Sequence, residues 1–206
     1  MADGRLITIE GLDGAGKSTL AERLVPALEL RGRAVELLRE PGGVPLSERI
    51  RELVKDPSAS IDARTEALLY AAARSQLVYE RVRPALERGA LVLLDRFVDS
   101  SLAYQGAARK LGVEQVRAIN LFATGGLVPD RTLLLRVSAE QGRARLDSRA
   151  HVHDRLERET ADFFDTVARA YEQLADAEPA RYRVLDASQP PERVLGDALS
   201  AIEDLL

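Results

Sequence analysis

A glycine-rich loop between a short strand and a helix constrains this chain more than any other feature. Residues 10–19 read EGLDGAGKST and meet the phosphate-loop pattern G-x-x-x-x-G-K-[ST]. An apolar, β-branched run at residues 6–9 precedes the loop, and apolar residues follow it at helical spacing. Backbone N–H groups of such a loop converge on an anion, and the helix N-terminus adds partial positive charge. The pattern therefore predicts binding of a nucleoside triphosphate.

Every position of this loop is a candidate contact for ATP, and two positions carry specific chemistry. The predicted ATP-binding residues of the loop are Gly11, Leu12, Asp13, Gly14, Ala15, Gly16, Lys17, Ser18 and Thr19. Lys17 is expected to reach the β- and γ-phosphates and to act in catalysis, while the Ser18 hydroxyl binds Mg²⁺. Asp95 ends an apolar strand, where a carboxylate that supports the same ion is typical; a helix-capping aspartate is the alternative.

Composition excludes several classes of function. The chain has 206 residues, of which 46% are hydrophobic, which is enough for one buried core. A formal net charge of -4 argues against a general nucleic-acid binder or a binder of anionic membranes. The chain contains no cysteine, no apolar run long enough to span a membrane, and no room for a signal peptide before the first strand. We therefore expect a cytoplasmic protein whose positive charge is concentrated locally.

Strand and helix patterns alternate along the whole chain. Apolar runs predict strands at residues 6–9, 34–38, 90–94, 131–137 and 182–185. Helical patterns lie at residues 17–31, 45–55, 62–88, 112–123, 163–175 and 191–205, and a capping box at 138–141 opens another helix. A kink is expected at Pro84. The alternation predicts a single domain, residues 1–206, of the α/β class: a P-loop NTPase-type parallel five-stranded sheet with helices on both faces.

Two arginines follow separate strands of the predicted sheet. Because ligands bind beyond the carboxyl ends of such strands, Arg39 and Arg96 are expected to flank the phosphate loop. Two guanidiniums there can neutralise a second, phosphate-bearing substrate; ordinary ion pairs with Glu40 or Asp99 are the alternative. A phosphate monoester acceptor needs alignment and charge neutralisation rather than a general base. This favours phosphoryl transfer, and no Asp-x-x-Gly switch motif follows the central strand.

Three further motifs resemble those of bacterial thymidylate kinases. Residues 95–106 read DRFVDSSLAYQG and are similar to the family signature D-R-[YF]-x-x-S-x-x-A-Y-Q-G. Residues 39–43 read REPGG, like a loop of that family, and residues 66–74 resemble its helix motif with an aromatic four residues before an arginine. The resemblance implies Mg²⁺-dependent transfer of the γ-phosphoryl group of ATP to dTMP, giving dTDP and ADP. It also implies a homodimer, whereas the expectation of no nucleic-acid or membrane partner rests on the net charge.

The resemblance assigns roles in dTMP binding by position. It implies that Asp13 holds the 3′-hydroxyl of the sugar, and that Arg39 and Arg96 bind the monophosphate, with Arg96 acting in catalysis. Tyr70 is expected to stack on thymine, where relatives usually have Phe, and Tyr104 to pack against the sugar. For both tyrosines an ordinary place in the core is the alternative. The residues implied to read the edge of the base are Arg74, Ser100, Ser101 and Gln105.

The charged segment at residues 143–159 corresponds to the mobile lid that covers ATP in this family. Some relatives carry a catalytic arginine inside the phosphate loop, where this chain has Ala15. Lid arginines are therefore implied to meet the transferred phosphoryl group, and a solvated helix surface is the alternative. The catalytic candidates are Arg149 and Arg155, with Arg143 and Arg145 behind them.

Two other features near the C-terminal half have weaker implications. His151 and His153 are too few for a metal site, so we interpret them as part of the lid surface. The loop at residues 186–190 corresponds to the family segment that lines adenine, which makes Gln189 an ATP-binding candidate.

Two other functions stay open on sequence grounds. A P-loop kinase for a different nucleoside monophosphate or for a small metabolite would share the phosphate chemistry. A P-loop regulatory protein without turnover would share only the nucleotide site. The run at residues 100–105 distinguishes the first alternative, because those residues are implied to contact the base.

Overall fold

The computed structural model describes residues 3–148 and 154–206, which contain a five-stranded sheet covered by helices. The strands are β1 (Arg5–Gly11), β2 (Val35–Arg39), β3 (Leu91–Asp95), β4 (Arg131–Arg136) and β5 (Tyr182–Asp186). All are parallel, in the order β2-β3-β1-β4-β5. The predicted parallel α/β sheet is confirmed, and each strand begins and ends within about two residues of its predicted limits.

Helices connect the strands and cover both faces of the sheet. They are α1 (Lys17–Glu29), α2 (Pro45–Lys55), α3 (Ala63–Leu77), α4 (Arg83–Glu87), α5 (Val98–Ser101), α6 (Val113–Thr124), α7 (Ala139–Asp147), α8 (Ala161–Ala177) and α9 (Pro191–Ala201). The predicted capping box of Ser138 and Gln141 opens α7. Within the described part of the chain, every helix is too short or too polar to cross a membrane.

Side chains of the strands alternate between two apolar clusters, one on each face of the sheet. On β3, Leu91 and Leu93 belong to one cluster and Val92 and Leu94 to the other, and all four are fully buried. Helices α1, α8 and α9 contribute to the first cluster, whereas α3 and α4 border the second. This continuous apolar run is therefore an interior strand of the sheet, buried on both faces.

The long helix predicted at residues 62–88 is divided in the structure. α3 ends at Leu77, a π-helical turn follows at Val78–Val82, and α4 begins at Arg83. Pro84 provides the reason, because it has no N–H to donate and its ring crowds the carbonyl group four residues earlier. The chain thus stays helical through the proline, and the irregular turn lies just before it.

The segment after Arg96 is helical, which the sequence analysis did not predict. α5 is followed by a π-helical segment at Leu102–Ala108. The polar side chains here, among them Asp99, Ser101 and Gln105, are buried instead of facing solvent. Periodicity could not reveal this helix, because amphipathic patterning assumes that polar residues lie on the exposed face.

Parallel pairing brings the carboxyl ends of β1, β2 and β3 to the same edge. Asp95 lies in register with Ile9 on one side and with Arg39 on the other. Just beyond, the Arg96 N–H donates to the Ile9 carbonyl oxygen at 3.0 Å, and the Glu40 N–H donates to the Asp95 carbonyl oxygen at 2.9 Å. The phosphate loop and both predicted arginine segments therefore meet at one edge, as expected.

Candidate active site

A cleft opens at this edge and gathers side chains from distant parts of the sequence. The predicted site residues that line it are Asp13, Gly14, Gly16, Lys17, Ser18, Arg39, Tyr70, Arg74, Asp95, Arg96, Ser100, Ser101, Tyr104 and Gln105. Leu12 and Ala15 are buried in the phosphate loop instead, and Thr19 is exposed. The cleft thus combines a phosphate loop with the residues expected to contact a second substrate.

The phosphate loop offers an anion both a lysine and a helix N-terminus. Lys17, the first residue of α1, donates through Nζ to the carbonyl oxygens of Gly11 at 3.1 Å and Leu12 at 2.8 Å. Burial lowers the pKa of Lys17 to about 8. Gly14 has φ +80°, and a Cβ there would lie 2.1 Å from the carbonyl oxygen of Gly142. Only glycine therefore fits where the loop packs against α7.

The two predicted magnesium ligands lie side by side. The Ser18 hydroxyl donates to Oδ2 of Asp95 at 2.9 Å, which joins the start of α1 to the end of β3. Mg²⁺ usually takes one or two protein oxygens and completes its shell with water and substrate phosphates. Over residues 3–148 and 154–206, no group of three or more Asp, Glu, His or Cys side chains could hold a metal ion. This donor set fits Mg²⁺ shared with a nucleotide rather than a closed metal site.

Arg96 connects the phosphate loop to the segment that follows β3. Its φ of +69° is uncommon for a residue other than glycine and often marks a functional position. The guanidinium pairs with Asp13 at 2.6 Å and lies over the Tyr104 ring, 5.2 Å from its centroid. Tyr104 also donates to Asp13, at 2.9 Å. Burial raises the pKa of Asp13, but the charges of Arg96 and Lys17 outweigh burial and hold that pKa well below its usual value.

Glu10 is a buried carboxylate behind Arg96 to which the sequence analysis gave no role. It accepts hydrogen bonds from the Phe97 N–H at 2.7 Å and from the hydroxyls of Ser100 at 2.6 Å and Tyr171 at 2.9 Å. Burial raises the pKa of Glu10. Arg96 donates to the same Ser100 hydroxyl at 3.1 Å, so Ser100 serves this network whatever it contributes to the base. A charged residue inside an apolar strand was the available sequence signal.

Arg74 and Glu40 form an ion pair inside the wall of the cleft. Arg74 is 1% exposed, and its Nε lies 2.6 Å from Oε2 of Glu40. Its other donors reach the Ser101 hydroxyl at 2.9 Å, the Asn120 side chain, and the Phe97 carbonyl oxygen at 2.8 Å. Burial raises the pKa of Glu40 to about 7 although Arg74 opposes it. The Arg74 guanidinium, which is expected to bind the edge of the base, therefore already has hydrogen-bond partners within the chain.

A third buried carboxylate, Glu66, holds Gln105. Nε2 of Gln105 donates to Oε1 of Glu66 at 2.8 Å. Glu66 also pairs with Arg109 at 3.2 Å and with Arg155 at 2.7 Å. Tyr70, one turn further along α3, lines the cleft, and burial together with the Glu66 carboxylate raises its pKa. Glu66 thus connects α3 to Gln105 and to two arginines.

Some predicted residues do not face the phosphate loop in this structure. Arg39 lines the cleft but pairs with Glu48 at 2.8 Å. Arg155 pairs with Glu66, and its Nε donates to the Val54 carbonyl oxygen at 3.0 Å, so it does not reach the phosphate loop. Gln189 donates to Asp186 at 3.1 Å and lies outside the cleft lining. Arg149, His151 and His153 fall outside the described residues.

Two cations of α2 line the cleft, although the sequence analysis did not assign them. Arg51 donates to the carbonyl oxygen of Pro41, which follows a cis peptide bond, at 2.8 Å. Lys55 pairs with Asp154 at 2.6 Å. The two are four residues apart and so share one face of the helix. That spacing, directly after the REPGG loop, was the signal that could have identified them.

Replacing Arg74 with Met should lower the free energy of unfolding by about 3–5 kcal/mol, because the substitution leaves the buried Glu40 carboxylate without its partner. Urea denaturation at pH 8 without nucleotide measures this loss. The matched control is Arg39→Met, which removes an ion pair whose side chains are 52% and 37% exposed, against 1% and 3% for the Arg74 pair. The control should cost less than about 1 kcal/mol. Similar small losses in both variants would contradict the structural role of Arg74.

Comparison with known proteins identifies the family. The sequence model described as thymidylate kinase matches residues 9–197. A thymidylate kinase from Bacillus pumilus is 46% identical over 98% of this chain and 97% of its own length, and one from Deinococcus radiodurans is 46% identical over 99% and 98%. A crystal structure of thymidylate kinase from Ehrlichia chaffeensis superposes with a TM-score of 0.79 at 27% identity, covering 97% of this chain and 99% of that one. The resemblance found in the sequence is confirmed, and the chain belongs to the thymidylate kinase family.

Proposed function

We propose that this protein transfers the γ-phosphoryl group of ATP to dTMP, giving dTDP and ADP. The observation that carries the proposal is the placement of Arg96 beside the phosphate loop, where it pairs with Asp13 at 2.6 Å and shares one cleft with Lys17. In this proposal Lys17 faces the triphosphate and Arg96 faces a second anionic substrate. The residues expected to contact the base line the same cleft.

The chemistry asks little of the protein beyond alignment and charge. The acceptor phosphate is ionised at neutral pH, so its oxygen attacks without a general base. Lys17 neutralises the β- and γ-phosphates, and Arg96 holds the acceptor phosphate in line with them. Both cations are bound to the chain's own oxygen atoms here, so substrate phosphates would replace those partners rather than recruit free side chains.

Ser18 and Asp95 are the residues that would hold Mg²⁺, with Asp95 acting directly or through water. When bound, the ion would supply positive charge that neutralises the negative charge of the phosphates during transfer. The serine hydroxyl and the aspartate carboxylate are already within hydrogen-bond distance, so the chain needs no rearrangement to offer both oxygens.

The acceptor sugar and base are assigned to residues around Arg96. Asp13 would accept a hydrogen bond from the 3′-hydroxyl, Tyr104 would pack on the sugar, and Tyr70 would stack on thymine. Arg39 would move from Glu48 to the monophosphate. The residues that would contact the edge of the base are Arg74, Ser100, Ser101 and Gln105.

The lid and the loop after β5 complete the ATP site in this proposal. Arg149 and Arg155 remain the candidates for contact with the transferred phosphoryl group, and Arg155 must leave Glu66 to make that contact. Gln189 is assigned to the adenine side of ATP. We also infer a cytoplasmic location, where ATP is available.

The acceptor is identified by measuring ADP release with ATP and Mg²⁺ in the presence of dTMP, dUMP, UMP, CMP, AMP or no acceptor. A strong preference for dTMP is expected. Preference for another acceptor would contradict the residues proposed to contact thymine and would indicate a P-loop kinase with a different substrate. ATP binding without acceptor-dependent ADP release would instead indicate the regulatory alternative.

Arg96→Ala should reduce kcat/KM for dTMP by at least about 100-fold, because it removes a cation that neutralises the reacting phosphates. Arg88→Ala is the matched control, since Arg88 is 64% exposed, pairs with Glu36 near the start of β2 at 3.1 Å, and is not among the residues that line the cleft. That control should retain wild-type kinetics. A kcat/KM of Arg96→Ala within about threefold of the wild-type value would contradict the role of Arg96 in binding the reacting phosphates.

We further propose that the protein is a homodimer, as the family resemblance implies. Large apolar side chains are exposed on α3 and α6, which pack against each other. Leu68 is 56% exposed, Leu121 62% and Phe122 92%. A second copy of the chain would cover this apolar face, in keeping with the apolar character of stable dimer interfaces.

Phe122→Asp should convert the dimer to a monomer, because a charge in an apolar interface is costly to desolvate. Sedimentation velocity measures the mass of the particle in solution. The control is Leu30→Asp, at a position that is 90% exposed at the end of α1, and it should leave the dimer intact. A monomeric wild type, or a Phe122→Asp variant that stays dimeric, would contradict this surface.

A further inference from the structure

Glu66 is a completely buried carboxylate with three partners and no solvent contact. Gln105 donates to its Oε1 at 2.8 Å, and Arg109 and Arg155 pair with its Oε2 at 3.2 Å and 2.7 Å. Burying a charge is costly unless it is paired and hydrogen-bonded, and here two guanidiniums supply the pairing. A carboxylate held in this way accepts hydrogen bonds and cannot donate them.

This property decides how the Gln105 amide is oriented. An amide side chain donates hydrogen bonds through its NH₂ group and accepts them through its carbonyl oxygen. The residue next to the amide therefore decides which of the two faces a ligand. Because Glu66 can only accept, the NH₂ group of Gln105 must face it. Gln105 lines the cleft, so its carbonyl oxygen Oε1 is the polar atom left for a ligand.

We propose that Glu66 is a specificity-determining positioning residue: it fixes the Gln105 amide so that the cleft accepts bases that present an N–H donor. Thymine carries such a donor at N3, whereas cytosine carries a lone pair at that atom. A cytosine base would set its N3 lone pair against Oε1 and leave both acceptors without a proton. The inference rests on the proposed function, since it assumes that the base lies against Gln105.

A site built to accept a hydrogen bond rejects an analogue that lacks the donor, because its own polar atom is then left unpaired. The matched ligand pair is dTMP and 5-methyl-dCMP, which share the sugar, the phosphate and the methyl group. Binding of each is measured by isothermal titration calorimetry in the absence of ATP. Wild-type protein should bind 5-methyl-dCMP at least about 100-fold more weakly than dTMP.

Glu66→Gln is the test of the positioning role. An amide at residue 66 can offer either end to Gln105, so Gln105 becomes free to turn its NH₂ group toward the cleft. We expect the ratio between 5-methyl-dCMP and dTMP binding to narrow by at least about tenfold. Loss of the Arg155 contact changes both ligands alike and cancels in the ratio. An unchanged ratio in a folded Glu66→Gln protein would overturn the inference.

Two further variants separate selectivity from stability. Glu159→Gln removes the other carboxylate of Arg109, at 2.6 Å, without touching Gln105, and should leave the ratio unchanged. If thermal unfolding shows that Glu66→Gln does not fold, Glu66→Asp is measured instead, since it keeps the negative charge while the shorter side chain moves that charge away from the Gln105 amide. The ratio should narrow there too, and a wild-type ratio would overturn the inference.

The two proposals fail in different ways. Wild-type protein that does not phosphorylate dTMP would contradict the proposed function. Wild-type protein that prefers dTMP, with Glu66 variants of unchanged selectivity, would contradict only the role of Glu66. Wild-type protein that binds 5-methyl-dCMP as tightly as dTMP would also overturn the orientation argued for Gln105.

Discussion

The parallel pairing of β1 with β3 is the interaction on which the rest of the site depends. It places Ile9 opposite Asp95, so that the phosphate loop leaves one strand where Asp95 and Arg96 leave the other. The Ser18–Asp95 and Asp13–Arg96 contacts both follow from that register. A shift of one residue would turn every side chain to the opposite face of the sheet. Hydrophobic packing of β3 on both faces makes such a shift costly.

The cationic side chains in the cleft already donate hydrogen bonds to acceptors within the chain. Lys17 donates to carbonyl oxygens of the phosphate loop, Arg96 pairs with Asp13, and Arg39 pairs with Glu48. In the proposed reaction, substrate phosphates would replace these acceptors instead of meeting unpaired cations. Such exchange keeps the site ordered, and ordered donors are what electrostatic stabilisation of a transition state requires.

The part of the cleft where we propose that the base binds is organised by buried carboxylates. Glu10, Glu40 and Glu66 are each almost fully buried, and each holds a polar residue that faces or supports the cleft. Because removing one partner of a buried charge is far more costly than removing an exposed pair, these contacts fix the positions of Ser100, Arg74 and Gln105. Under the proposal for Glu66, selectivity would depend on a residue that does not contact the ligand.

The sequence by itself determined the five strands, their parallel arrangement, the phosphate loop and the identity of the family, because glycine turns and apolar runs are local signals. It also located most of the cleft residues through contiguous motifs. It did not determine the helix after Arg96, whose polar side chains are buried, or the partners of the buried carboxylates. Glu10 meets Tyr171 across 161 residues, and Glu66 meets Gln105 across 39. Only tertiary packing decides those contacts, since the choice of partner for a buried charge depends on which distant side chains the fold brings within hydrogen-bond distance.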